Sequence, residues 1–164
     1  MGYKVTKEGS AAHGRSENRD EKAFQTFEDL EVYRVAREFR KAMYDAARRL
    51  PEFEKYGLCS QIRRAAVSLT NNIAEGHGRF HYPDQIRFIL HSRGSLEELV
   101  DDLNVCLDES YLRSDEVAAL KEEARAVLKL INGYLRYLRK HSDSVRESDE
   151  SYSETAERLA GLPL

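Results

Sequence analysis

The sequence predicts an all-α fold, an antiparallel up-down-up-down four-helix bundle with polar tails, and three observations carry that expectation. Apolar residues recur at alternating spacings of three and four through four successive segments. Short connections bearing Pro, Gly or Ser separate those segments, and no stretch alternates apolar and polar residues as a half-buried strand would. The 164 residues are 41% apolar and 34% charged, with three prolines and no tryptophan. That composition suits one charge-coated domain with a real core, and four amphipathic helices bury their stripes most simply as a bundle.

The first helix is expected from "TFED", where Thr26 and Asp29 fit a capping box, and it carries Val32, Ala36, Phe39, Met43, Ala46 and Leu50 before Pro51 stops it. The second runs from Leu58 to Glu75, with Leu58, Ile62, Ala65, Ala66, Leu69 and Ile73 on one side and Gly76 and Gly78 marking its end. The third starts near Pro83, places Ile86, Ile89, Leu90, Leu96, Val100, Leu103 and Leu107 on its stripe, and ends around Tyr111. The fourth opens at Ser114, followed by Asp115 and Glu116, and continues through Val117, Leu120, Ala124, Val127, Ile131, Tyr134 and Leu138 to Lys140. Residues 26–140 thus form the expected domain. Residues 1–25 and 141–164 are polar and serine-rich, with too little apolar surface to offset ordering entropy, and read as mobile tails.

Charge and residue usage exclude several functions. No apolar run approaches the roughly 20 residues of a membrane span, and the N-terminus has no apolar signal segment, so a cytoplasmic chain without membrane contact is expected. Cys59 and Cys106 lack metal-ligand spacing. His77 and His81 stand four apart, but Gly78 and Pro83 place a turn around them rather than one helix face. The acidic pairs Glu97–Glu98 and Asp101–Asp102 point about 100° apart on a helix and cannot share one substrate. Neither a Glu-x-x-His pair nor a nucleophile motif occurs, so no enzyme, metal or cofactor is expected. The net charge of −3 conceals a neutral bundle, with 19 basic and 19 acidic residues between Phe27 and Lys140, and an acidic tail from His141 onward with 2 basic and 6 acidic. Nucleic-acid binding would therefore need a local patch, because the domain as a whole is not basic.

The segment "RRAAVSLTNNIAEGHGR", Arg63 to Arg79, concentrates polar chemistry beside apolar positions. A helical projection puts Gln61, Ser68, Asn72 and Glu75 in one narrow sector beside the apolar stripe, a polar ridge able to meet the third helix. On that third helix Arg93 projects into the apolar stripe with Glu97 at its edge. A buried guanidinium needs a carboxylate, and Glu97 and Glu75 are the candidates. Gly94 would then allow close helix approach. Gln61, Ser68, Asn72, Glu75, Arg93, Glu97 and Glu98 are accordingly expected to form a structural polar network. Arg63 and Arg64, with Arg79 after the turn and Arg87 on the third helix, make the best basic cluster and the nucleic-acid candidates. The "RYLRK" end of the fourth helix, with Tyr82, Tyr134 and Tyr137 as potential stacking groups, is the competing patch. Arg136, Arg139 and Lys140 also serve there as complements of the helix dipole.

"FEDLEVYRVAREF", "LCSQIRRAAVSLTNNIAEGHGR", "RFILHSRGSLEELVDDL" and "INGYLRYLRK" resemble, in order, the signature blocks of the 23S rRNA intervening-sequence proteins, over roughly Phe27 to Lys140. The resemblance implies an antiparallel four-helix bundle assembling as a homopentamer and encoded, in some bacteria, within insertions in large-subunit ribosomal RNA genes. A related branch, the accessory proteins of diversity-generating retroelements, binds nucleic acid and a reverse transcriptase. The resemblance therefore implies association with RNA or DNA, by analogy of fold. The positions it makes characteristic are Gln61, Arg63, Arg64, Asn72, Glu75, Gly76, Arg79, Arg93, Gly94, Ser95 and Glu98. Thr70 stands where proline is frequent, and the acidic "VDDL" where a more neutral stretch is usual. Two functional readings follow. One is a non-enzymatic homo-oligomer that binds RNA or DNA through arginine-lined surfaces repeated around a ring. The other is a scaffold that presents a groove or its acidic tail to a protein partner.

Overall fold

A computed structural model describes the backbone of residues 26–160 and the side chains of residues 26–145. The expected tail at 1–25 lies outside the described residues. Four helices, α1 (Glu31–Arg48), α2 (Leu58–His77), α3 (Tyr82–Asp108) and α4 (Ser114–Ala160), pack against one another, and no strand occurs among the described residues. Contacts between neighbouring helices pair early positions with late ones, as at Ala47 with Cys59, Gly76 with Phe88, and Tyr82 with His141. Arg40 meets Thr70 across α1 and α2, Ser95 meets Ser68 across α2 and α3, and Lys121 meets Asn104 across α3 and α4.

The Thr26–Asp29 box does form, with the Thr26 N–H donating to the Asp29 carboxylate at 3.0 Å, but it closes only one 3-10 turn, Phe27–Asp29. The chain is extended at Leu30, and α1 begins after that bend. Arg34 ties the two pieces together by donating from Nε to the Glu28 carbonyl at 3.0 Å. From there the 4-3 spacing is followed: Val32, Ala36, Phe39, Met43, Ala46 and Leu50 are all buried. So are the six expected residues of α2. Fully buried side chains such as Phe39, Leu69 and Leu99 each contribute about 1.5–3 kcal/mol of transfer free energy, and they form one continuous core between the helices.

Helix α3 differs from expectation. The residues facing the core are Ile89, Ser92, Leu96, Leu99, Leu103 and Cys106, with Ser95 and Asp102 buried alongside. Leu90 and Leu107, placed on the stripe by their apolarity, remain 41% and 38% exposed. Two serines decide the rotation. Ser92 donates to the Leu69 carbonyl at 2.7 Å and Ser95 to Ser68 Oγ at 2.8 Å, so small hydroxyls take positions against α2 that larger apolar groups could not fill at that separation. Gly76 marks the same close approach. A Cβ built there would lie 3.1 Å from Phe88 Cβ and 3.3 Å from the Gln85 carbonyl oxygen.

Helix α4 runs 20 residues past the expected end at Lys140. Polarity alone does not stop a helix, and no Gly or Pro interrupts residues 141–160. No helix among the described residues is long and apolar enough to cross a membrane.

A cationic groove on the second helix

Helix α2 starts at Leu58 behind Gly57, which has no side chain with which to cap it. Glu54 supplies the cap from the preceding loop: its Oε2 accepts from the Leu58 N–H at 2.9 Å, while Oε1 accepts from Tyr111 Oη at 3.0 Å. The carboxylate sits at the positive end of the helix dipole and also anchors the α3–α4 turn. Burial and this carboxylate raise the Tyr111 phenol above its ordinary pKa. The first turns of α2, and with them Arg63 and Arg64, are thereby fixed in direction.

A groove of about 730 Å3 lies along this part of the molecule. Its floor is α2, where Ser60, Val67 and Asn71 follow one another at helical spacing with Arg63 and Arg64 among them. Tyr44, half-buried at the end of α1, forms one wall, and Lys55 and Tyr56 of the α1–α2 connection form the rim. Tyr56 is 88% exposed, with the Lys55 ammonium 5.7 Å from its ring centroid. No acidic residue lines the groove. Among the described residues Arg63 has no carboxylate partner. Lys55 pairs only with exposed Glu52, at 3.3 Å, an ion pair worth little against solvent. Guanidinium groups left without internal partners keep their donors available to phosphate or carboxylate.

The four candidate arginines divide between two ends of the bundle. Arg79 follows the C-terminal end of α2, whose last residue His77 lies about 21 Å from Arg63 along the helix axis, at 1.5 Å per residue. Arg79 is held by Glu75 and stacks over Phe88, 4.6 Å from the ring centroid. Arg87 is exposed near the start of α3, at that same distant end. The single cluster expected from the sequence is therefore corrected to Arg63 with Arg64 in the groove, and Arg79 with Arg87 elsewhere. Tyr134 and Tyr137 also belong to the distant end. They stack on each other at 6.2 Å, and Tyr137 lies 4.1 Å from the His141 ring, which in turn lies near Tyr82. Tyr44 and Tyr56, which the sequence reading passed over, are the aromatics beside Arg63 and Arg64. The available signal was "EKYG", an exposed aromatic next to a lysine immediately before the helix.

The polar network is smaller than expected and differently composed. Asn72 Nδ2 donates to the Ser68 carbonyl at 2.8 Å and to Ser68 Oγ at 3.0 Å, and Ser95 joins it from α3. The ridge meets the third helix there. Gln61, Glu97 and Glu98 are exposed and stand outside it, and Glu75 is taken by Arg79. Arg93 corrects the expectation of a buried ion pair: it is exposed, and among the described residues it has no ion-pair partner. The seven-residue core register passes it by, running through Ser92 and Leu96. Gly94 faces open space, with nothing within 4 Å of a Cβ built there, so the close approach expected at Gly94 occurs at Gly76 instead.

One buried acid lies within electrostatic reach of Arg64. Asp102 is 6% exposed, and its Oδ2 has no hydrogen-bond partner. Burial first, then the neighbouring Glu98 and Asp101 carboxylates, push its pKa up to about 6, against the opposing pull of Arg64 on α2. His77 ends α2, while His81 precedes α3 and packs edge-on against Phe80. Among the described residues no three His, Cys, Asp or Glu side chains gather to hold a metal ion.

Helices, core and groove together define an all-helical bundle protein with a groove lined by cationic and aromatic side chains. The family model described as 23S rRNA-intervening sequence protein matches residues 28–133, and the chain belongs to that family. A solved structure, a protein of unknown function from the S23 ribosomal protein family of Bacteroides thetaiotaomicron, shares the fold with a TM-score of 0.60 at 18% identity. The match covers 64% of this chain and 95% of the other. No curated protein matches.

Proposed function

We propose that this protein is a non-enzymatic nucleic-acid-binding bundle that works as a homo-oligomer and engages RNA or DNA through Arg63 and Arg64. The observation that carries this reading is the groove, where Arg63 and Arg64 stand without any acidic lining residue on a domain that is otherwise neutral. A neutral domain has no general attraction for a polyanion, so its affinity must be local. Assembly multiplies a modest local site by presenting copies of it together. The pentameric form is the expectation carried by the family resemblance.

The test is a fluorescence titration of wild type and of the Arg63→Ala/Arg64→Ala double variant against structured RNA and duplex DNA at rising salt. Binding by wild type is expected to weaken with salt, and the double variant to lose affinity and to lower the salt slope by about 2. A wild type that binds no probe at low salt, or a double variant with unchanged affinity and slope, rejects the reading and leaves the protein-scaffold alternative. Native mass spectrometry reads assembly directly, and a monomer would remove the oligomer from the proposal.

A further inference from the structure

We infer that the groove takes single-stranded nucleic acid, reading bases by stacking on Tyr56 and Tyr44 while Arg63, Arg64 and Lys55 hold the phosphates; this deepens, and rests on, the nucleic-acid reading above. Three features separate a single strand from a duplex here. A duplex carries one charge per 1.7 Å of axis and is held chiefly by broad basic surfaces, whereas the bundle has 19 basic and 19 acidic residues and its groove offers three cations. A concave site floored by one helix admits a strand whose bases can turn toward its walls. The lining supplies what unstacked bases need: the Tyr56 ring is 88% exposed, and Tyr44 of α1 borders the groove half-buried against the core. The Lys55 ammonium above the Tyr56 ring draws a phosphate to the same rim. Asn71, exposed further along the floor, carries an amide able to pair with Watson–Crick base edges, which an unpaired strand leaves open and a duplex keeps paired.

The sugar is left open by this chemistry, so the probes include both kinds. The experiment titrates the full-length protein against fluorescein-labelled oligo-U and oligo-dT, RNA and DNA duplexes of the same length, and an abasic strand with the same number of phosphates. Wild type and Tyr56→Ala are compared. Because Tyr56 is almost wholly exposed, its loss should leave thermal unfolding unchanged, and circular dichroism confirms that. The single strands are expected to bind more tightly than the duplexes and the abasic strand. Tyr56→Ala should weaken base-bearing single strands about tenfold, the effect of losing one stacked base, while leaving the abasic strand unchanged. Equal or tighter duplex binding, or a Tyr56→Ala variant indistinguishable from wild type on oligo-U and oligo-dT, overturns the single-strand inference while nucleic-acid binding through Arg63 and Arg64 stands. Failure of every probe to bind at low salt overturns both.

Discussion

Asp102 is expected to contribute less stability at neutral pH than at mildly acid pH, and the size of the effect follows from its surroundings. In the unfolded chain its carboxyl titrates near the ordinary 3.8, while in the native protein burial beside Glu98 and Asp101 moves that to about 6. Between those values the native protein keeps a proton that the unfolded chain has released. Stability is thus fully present below the unfolded pKa and is lost as pH rises through the native one. At about 1.4 kcal/mol per pH unit over roughly two units, the loss approaches 3 kcal/mol. Asp102→Asn removes the titration. The variant is expected to match wild type near pH 4 and to exceed it by about 2–3 kcal/mol at pH 7, measured by urea unfolding followed through helical circular dichroism across that range. The difference between the two proteins isolates Asp102. The carboxyls of Glu116 and Asp115, held low chiefly by Arg49 and Arg113, titrate alike in both. A difference that stays constant from pH 4 to pH 7, or a variant less stable than wild type at pH 7, would refute the reasoning.

Two glycines and one serine give further expectations, all read by thermal unfolding. Gly76→Ala should cost about 1–3 kcal/mol, since its Cβ must displace Phe88 Cβ and the Gln85 carbonyl. Gly94→Ala, in open space in mid-helix, should instead stabilise by about 0.5–1 kcal/mol; a loss there would mean that this face is covered. Ser110 holds a φ of 57° where α3 ends in a 6→1 bond from the Tyr111 N–H to the Cys106 carbonyl at 2.8 Å. That is a glycine's place, so Ser110→Gly should gain about 1 kcal/mol, and no gain would show that the serine is unstrained.

How much was legible depended on whether local pattern or shared space made the choice. The stripes of α1 and α2 were readable residue by residue, because large apolar groups there meet the core with no competitor for the position. Arg63 and Arg64 were readable as binding candidates because adjacent guanidiniums at the start of a helix are visible in one dimension. Their partners were not. Tyr44 sits 19 residues before Arg63, and only the packing of α1 on α2 makes them two sides of one groove. The cluster of Arg63, Arg64, Arg79 and Arg87 failed for the converse reason: nearness in sequence was read as nearness in space, while α2 carries its two ends apart.

The sequence by itself determined the class of fold, the four helical segments, the neutral bundle with an acidic C-terminal segment, and the family, since periodicity, composition and short signature blocks are properties of the chain alone. Tertiary structure decided which side of α3 is inside. Arg93, Leu90 and Leu107 stay exposed, and Ser92 and Ser95 go in, because the space between α2 and α3 is too narrow for the larger side chains and rewards small hydroxyls that find backbone and side-chain acceptors; Asp102 goes in with its Oδ2 unpaired. Hydrophobicity ranks residues for burial one at a time, but the gap between two packed helices selects them by size and hydrogen bonding together.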